Sequence, residues 1–438
     1  MPVTEAAKTM RVKEQLRLDY GLEVAPSDSV STTFQDNMKL PVHRWMRYSA
    51  GFSGSWARHV IEKEAGDSGI TVLDPFVGSG TTILAAEEAG MMGIGLEAHP
   101  FVVRMAEAKL ERSTDVDAFR KFACGVLAKA ESLTGGCDNY QSLIRRCYSD
   151  DSLRELDSLR LALDSAWEDS PAARLTWLTL VSILRKTSHA NTAQWQYVLP
   201  SKSKSTTVRP FIAFRDAMAM ISADMRASGA VKGPRGRLIT GDARTCEGVD
   251  SDSIDLVVTS PPYPNNYDYA DATRLEMSFM QEITGWGDLH DKVRKYLMRS
   301  CSQHTPEKNH DLNEILSAPE LSSIRDEIVH VCRQLSDVRA TKGGKKTYHL
   351  MIAAYFRDIA FVWLALRRVC KSPSRVCFVI GDSAPYGIYV PVVKWMEQLA
   401  MAAGFSDCSF EKTRDRNIKW KNRKHRVPLQ EGRFWVRG

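Results

Sequence analysis

Ile70-Thr71-Val72-Leu73 runs without a break into Asp74-Pro75-Phe76-Val77-Gly78-Ser79-Gly80-Thr81-Thr82, and the helical pattern of residues 83–89 follows. A short apolar run, a glycine turn and a helix start, in that order, open an α/β unit. Gly90, Met91 and Met92 end the helix, and Gly93-Ile94-Gly95-Leu96 reads as a second strand finishing on Glu97. That acid stands about twenty positions after the glycine loop, the spacing at which a carboxylate accepts hydrogen bonds from a ribose in nucleotide-type folds. The expected fold class is α/β.

The chemistry of the loop separates three readings. A P-loop needs Gly-Lys-Ser/Thr so that a lysine reaches the phosphates; here Gly80 is followed by Thr81 and Thr82, which disfavours an NTPase. A dinucleotide fold wants a third glycine inside the helix, and Ile83 stands there, which disfavours a dehydrogenase. What remains is a loop headed by an acid, Asp74, able to meet an ammonium, with Gly78 and Gly80 letting backbone approach a ligand that carries no phosphate. S-adenosylmethionine has that ammonium, a ribose for Glu97, and an adenine amino group from which Asp242 can accept at the end of a third strand, 237–240.

A second stretch ends a strand in the same way. Ile254, Leu256, Val257 and Val258, broken by Asp255, lead to Thr259-Ser260-Pro261-Pro262-Tyr263. A proline pair cannot continue a sheet ladder, and open α/β sheets place their chemistry at carboxyl ends of strands. Asn265-Asn266-Tyr267-Asp268-Tyr269 comes next, and Phe52-Ser53-Gly54 precedes the core in an aromatic and basic loop that begins at Pro41.

Together the two loops resemble the cofactor and catalytic motifs of the DNA amino-methyltransferases of restriction-modification systems. The Ser-Pro-Pro-Tyr form, with Asn265–Tyr269 after it and Phe52-Ser53-Gly54 before the core, is similar to the N4-cytosine group. The resemblance covers the sheet-forming segments and not the two insertions. It implies a Rossmann-like, seven-stranded, mainly parallel S-adenosylmethionine-dependent methyltransferase fold carrying two large, mainly helical insertions. Phe52, Asp74, Phe76, Gly78, Ser79, Gly80, Thr81, Thr82, Glu97 and Asp242 would then hold the cofactor, and Ser260, Pro261, Pro262 and Tyr263 a flipped base. One departure is order. In many members with this style of cofactor loop the catalytic motif comes first, whereas here it follows, so the place of the target-recognition part does not carry over.

The residues suit that chemistry. A nucleobase amino nitrogen is a poor nucleophile because its lone pair is delocalised into the ring, and acceptors aimed at its hydrogens restore lone-pair density. Ser260 Oγ and the Pro261 carbonyl are the natural acceptors, prolines hold that carbonyl without reorganisation, and Tyr263 offers a stacking face. A serine rather than an acid at this position favours N4 of cytosine over N6 of adenine. The Pro-Cys pair of C5-cytosine enzymes is absent from the chain. The expected function is site-specific methylation of cytosine N4 in double-stranded DNA. The alternatives are an N6-adenine DNA enzyme, an RNA amino-methyltransferase, and a catalytically silent nucleic-acid-binding subunit.

At 438 residues the chain exceeds one average domain. Its expected organisation is a leader (1–39), a first core part with the cofactor loop (40–100), a helical insertion that is a candidate for DNA binding (101–235), the catalytic core part (236–280), a second helical insertion that is a candidate for target recognition (281–346), and a last core part with a basic segment (347–438). The net charge of +6 and pI near 8.7 suit a polyanionic partner without requiring one. Gln194-Trp195-Gln196-Tyr197 followed by residues 201–209 interleaves lysines and hydroxyls beside aromatics. Trp195, Lys202, Lys204 and Arg209 there, and Arg416, Lys419, Lys421 and Arg423 near the end, are candidate nucleic-acid contacts, with a solvated loop as the competing reading. The nine cysteines form no Cys-x-x-Cys pair and no zinc spacing, so no metal and a reduced, cytoplasmic setting are expected. No run of about eighteen uncharged apolar residues calls for a membrane. A cognate restriction endonuclease is a candidate partner, and no pattern specifies an oligomeric state or a target sequence.

Overall fold

The computed structural model describes residues 34–193, 197–229, 233–343, 346–416 and 428–438. A seven-stranded sheet lies at the centre, built from β1 (Thr71–Asp74), β2 (Met92–Glu97), β5 (Arg237–Thr240), β6 (Ile254–Thr259), β7 (Cys370–Gly381), β8 (Asp407–Arg416) and β9 (Leu429–Arg437) in the spatial order β5-β2-β1-β6-β7-β9-β8. All neighbours are parallel except β9, which runs antiparallel to both β7 and β8. This is the mixed sheet of the methyltransferase fold. Val72 pairs with Leu256 and Leu73 with Val257, so the strands carrying the two motifs are direct neighbours. Their carboxyl ends, Asp74 and Thr259, therefore meet at one edge of the sheet, next to the point where the strand order reverses.

Both faces of the sheet are covered, which is why its strands read as near-continuous apolar runs. On one face α1 (Gly54–Ala65) and α2 (Thr81–Glu88) bury Trp56, Ile61 and Ala86 against Val72, Val258 and Cys377. On the other, α8 (Arg325–Thr341), α9 (Tyr348–Val369) and α10 (Val392–Ala402) close the main core, where Trp363 stacks on Phe378 with ring centroids 4.6 Å apart. α9 is apolar and long enough to cross a membrane, but 83% of its most apolar window is buried inside the protein. Each side chain so buried is worth about 1.5–3 kcal/mol, which makes α9 the central core helix.

The first insertion has a core of its own, formed by α3 (Pro100–Leu110), α4 (Val116–Ser132), α5 (Asp150–Ala166), α6 (Pro171–Thr187) and α7 (Pro210–Ser228). Apolar residues recur along these helices at the three- and four-residue spacing that the sequence displays, and Ser149 and Ser170 cap α5 and α6. Between α6 and α7 the structure departs from the expected loop. Val198–Ser203 is a strand, β4, paired antiparallel with β3 (Ala190–Thr192), because the alternation there is too short to register as a strand pattern. The second insertion divides. Leu289 and Val293 join the helical core, whereas Met298, Leu316, Leu321, Ile328 and Leu335 pack into the sheet core around α9. Near the start of the described chain, Asn37 is tied in as well: its side chain donates to the Phe52 carbonyl (2.7 Å) and accepts from the Gly54 amide (2.8 Å). Residues 1–33 of the expected leader lie outside the described residues.

Candidate active site

Two clefts meet at the carboxyl edge of β1, β2, β5 and β6. The first is lined by the glycine loop (Phe76, Gly78, Ser79, Thr81), by Glu97 and His99 after β2, by Asp242 after β5, and by Phe52, Ser260 and Pro262. Gly78 has φ +52, and a Cβ there would stand 3.0 Å from the Tyr48 ring, so backbone freedom and close approach both require glycine. Glu97 accepts from the Gly78 amide (3.0 Å) and the His99 amide (2.8 Å), and loss of solvent pushes its carboxyl up to about 7. Buried His99 holds Thr273 Oγ1 at 2.9 Å through Nε2, and desolvation takes it down to about 4, so its imidazole is neutral.

Asp74 departs from the ammonium-binding role expected of it. It is fully buried and does not line the cleft. The Thr259 hydroxyl donates to Oδ1 (2.5 Å), the Thr82 hydroxyl to Oδ2 (2.5 Å) and the Phe76 amide to Oδ1 (3.0 Å). The carboxylate thus staples the glycine loop, the start of α2 and the end of β6 to one another. Burial pushes it up to about 6, and the three donors hold it from rising further. Gly80 and Thr82 are likewise behind the loop: Gly80, at φ +89, begins α2, and Thr82 completes the Asp74 cluster. Asp242 reaches the cleft but is paired with Arg244, which donates through Nε to Oδ1 and Oδ2 (3.0 and 2.9 Å). A carboxylate has about four lone-pair sites, so acceptor capacity toward the cleft remains.

The second cleft opens between the sheet edge and the helical insertion. Arg47, Arg185, Lys186, Lys204, Arg414 and Arg416 line it, against the carboxylates Glu276 and Glu431. Ser260, Phe52 and Tyr269 belong to both clefts. Ser260 Oγ donates its proton to the Val379 carbonyl (3.1 Å), which leaves the oxygen's lone pairs for an incoming donor. Pro261 is buried and Tyr263 lines the second cleft, with the Arg416 guanidinium 5.1 Å from its ring centroid. Arg416 is held in turn by the Asp382 carbonyl (2.9 Å).

Of the candidate nucleic-acid contacts, Lys204 and Arg416 face this cleft. Lys202 is exposed on β4 and outside the cleft lining, and Arg209 turns to Glu155 (2.5 Å). Trp195, Lys419, Lys421 and Arg423 lie outside the described residues. Sequence reasoning missed Tyr48, His99, Arg185 and the segment Tyr296-Leu297-Met298 that walls the first cleft. Only Tyr48 carried a signal, its place in the aromatic loop before the core.

The profile of a family described as a DNA methylase, of N6/N4 type, matches residues 24–108, which contain both the aromatic loop and the glycine loop. Fold, loop and profile agree in their likeness to the N6/N4 DNA methylases. More particularly, the chain is distantly homologous to type II methyltransferases. It is 24% identical to the type II methyltransferase M.BsoBI of Geobacillus stearothermophilus over 425 residues, covering 85% of this chain and 80% of that one. M.AvaI of Nostoc sp. is 22% identical over 430 residues, covering 91% and 85%. M.MjaII of Methanocaldococcus jannaschii matches a shorter part, 27% over 111 residues, covering 25% and 19%.

Proposed function

We propose that this protein is an S-adenosylmethionine-dependent DNA methyltransferase of a type II restriction-modification system, acting on the N4 amino group of cytosine. The observation that carries the reading is the placement of Ser260, whose oxygen stands at the junction of a glycine-loop cleft and a basic cleft with its proton already committed to Val379. The first cleft fits the cofactor: Gly78 leaves the space a Cβ would fill, and Glu97 presents a carboxylate to a ribose. Phe52, Phe76 and Ser79 would hold the remainder. When bound, S-adenosylmethionine supplies an electrophilic methyl group.

Ser260 Oγ and the Pro261 carbonyl accept from the two amino hydrogens and raise density on the nitrogen, while Tyr263 and Tyr269 hold the base and exclude water. An uncharged hydroxyl in place of a more strongly accepting carboxylate favours cytosine N4 over adenine N6. The basic cleft takes the DNA backbone, with Arg185, Lys186 and Lys204 of the first insertion on one wall, and the second insertion, 281–346, contributes to base readout. Methyl transfer from labelled S-adenosylmethionine to duplex DNA tests the reading, and labelling of RNA alone would contradict it.

Two further outcomes follow. Ionised Glu97 accepts from ribose hydroxyls better than the acid, so cofactor affinity is expected to rise with pH through about 7. Glu97→Gln should weaken binding about 10- to 100-fold and flatten that dependence in a calorimetric titration. Lys204→Ala should lower the salt dependence of DNA affinity by about one counterion, whereas Arg209→Ala, outside the cleft, should not.

A further inference from the structure

Residues 294–302 of the second insertion run past the first cleft. At one end buried Arg294 clasps Asp268 through Nε (3.0 Å) and Nη2 (2.6 Å), and Asp268 in turn caps the turn at Tyr269 by accepting from the Ala270 and Asp271 amides. At the other end the Ser302 amide and hydroxyl both donate to Asn266 Oδ1 (2.9 and 2.6 Å), and the Asn266 amide donates to the Ser300 carbonyl (3.1 Å). Between these anchors, Tyr296-Leu297-Met298 forms a wall of the cofactor cleft. The stretch is fixed from behind: the Arg299 amide and Nε donate to Asp358 of α9 (3.0 and 2.9 Å), and Arg244, paired with Asp242, donates to the Tyr296 carbonyl (3.3 Å).

We infer that this segment is a strut by which the occupied cofactor cleft positions the loop after the catalytic motif, with Arg294 and Asn266 as its positioning residues. The inference rests on the methyltransferase reading of the two clefts. Asn266 sits at φ +65, a left-handed conformation that a non-glycine residue holds only when its surroundings over-determine it. Its three hydrogen bonds to the strut supply that constraint. Tyr269, which faces both clefts, follows directly on Asp268 and packs edge-on against Tyr267, with centroids 4.5 Å apart. A ligand that orders Tyr296–Met298 therefore orders the base-binding loop through the same backbone. By linkage, the base then favours the cofactor equally.

Hydrogen exchange of residues 264–272 with and without S-adenosylhomocysteine tests this, read beside methyl-transfer kinetics. In the wild type the ligand should slow exchange by about tenfold. In Arg294→Met and Asn266→Gly the slowing should fall below about twofold while S-adenosylhomocysteine affinity stays within about threefold. Their kcat should fall by about tenfold or more with cofactor KM little changed, and Arg294→Lys should recover part of it. A wild-type loop indifferent to the ligand, variants that keep the full slowing, or losses that merely track cofactor affinity would overturn the strut. Should Arg294→Met not fold, Asn266→Gly decides, since glycine keeps the left-handed backbone and removes only the side-chain acceptor. A loop that responds to S-adenosylhomocysteine in a protein that methylates no DNA upholds the strut and removes the DNA reading.

Discussion

Ser260→Ala is expected to lower turnover by about 10²–10³-fold while leaving S-adenosylmethionine affinity within about twofold, as loss of one aimed acceptor does in other preorganised sites. The asymmetry comes from geometry. Ser260 touches the cofactor cleft at its margin, and Glu97 and the glycine loop are untouched by the change. The change removes one neutral hydrogen bond, that from Ser260 Oγ to the Val379 carbonyl, so the stability cost should be about 0.5–1.5 kcal/mol. Single-turnover methylation beside calorimetric cofactor binding separates the two quantities, and unchanged turnover would remove Ser260 from the mechanism.

Asp74→Ala should have the largest combined effect. It leaves the Thr259 hydroxyl and the Phe76 amide without their acceptor in a dry site, while Thr82 Oγ1 can turn to the Val258 carbonyl 3.1 Å away, at a cost of about 2–4 kcal/mol in stability. It also releases the cofactor loop from the catalytic strand end, so cofactor affinity and turnover should both fall, the latter by about 100-fold, as expected when reacting groups lose about 1 Å of registration. Asp74→Asn should be milder in a denaturant titration, because either threonine hydroxyl can turn to accept from the new amide. The sign of the pH effect follows from the raised value. The native state binds the Asp74 proton more tightly than the unfolded chain, so this group's contribution is full below 3.8 and is lost as pH rises through about 6. In Asp74→Asn that decline should vanish.

The strand-loop-helix stretch around Gly78 and the proline pair after Thr259 were legible because each is a local pattern with few competing explanations. They suffice for the sheet and for setting the glycine loop beside the loop after β6. The role of Asp74 was not legible. An acid at a strand end looks the same whether it faces ligand or is consumed by hydroxyls from a strand 185 residues away. Tyr296–Met298 left no trace either, since a wall formed by an irregular stretch has no periodicity, and its anchor on Asp358 spans 59 residues. The basic candidates show the limit of composition: Lys204 and Arg209 stand in the same short stretch, and only the former turns into the cleft.

In the proposed mechanism Ser260, an uncharged acceptor at the junction of the two clefts, directs methylation to the exocyclic amino group of cytosine. Incubation of the protein with methyl-labelled S-adenosylmethionine and mixed-sequence duplex DNA, followed by digestion to nucleosides and chromatography, tests it most directly. The label should appear as N4-methylcytosine, at a rate that Ser260→Ala lowers by about 10²–10³-fold; label in N6-methyladenine, or in no nucleoside at all, would contradict it.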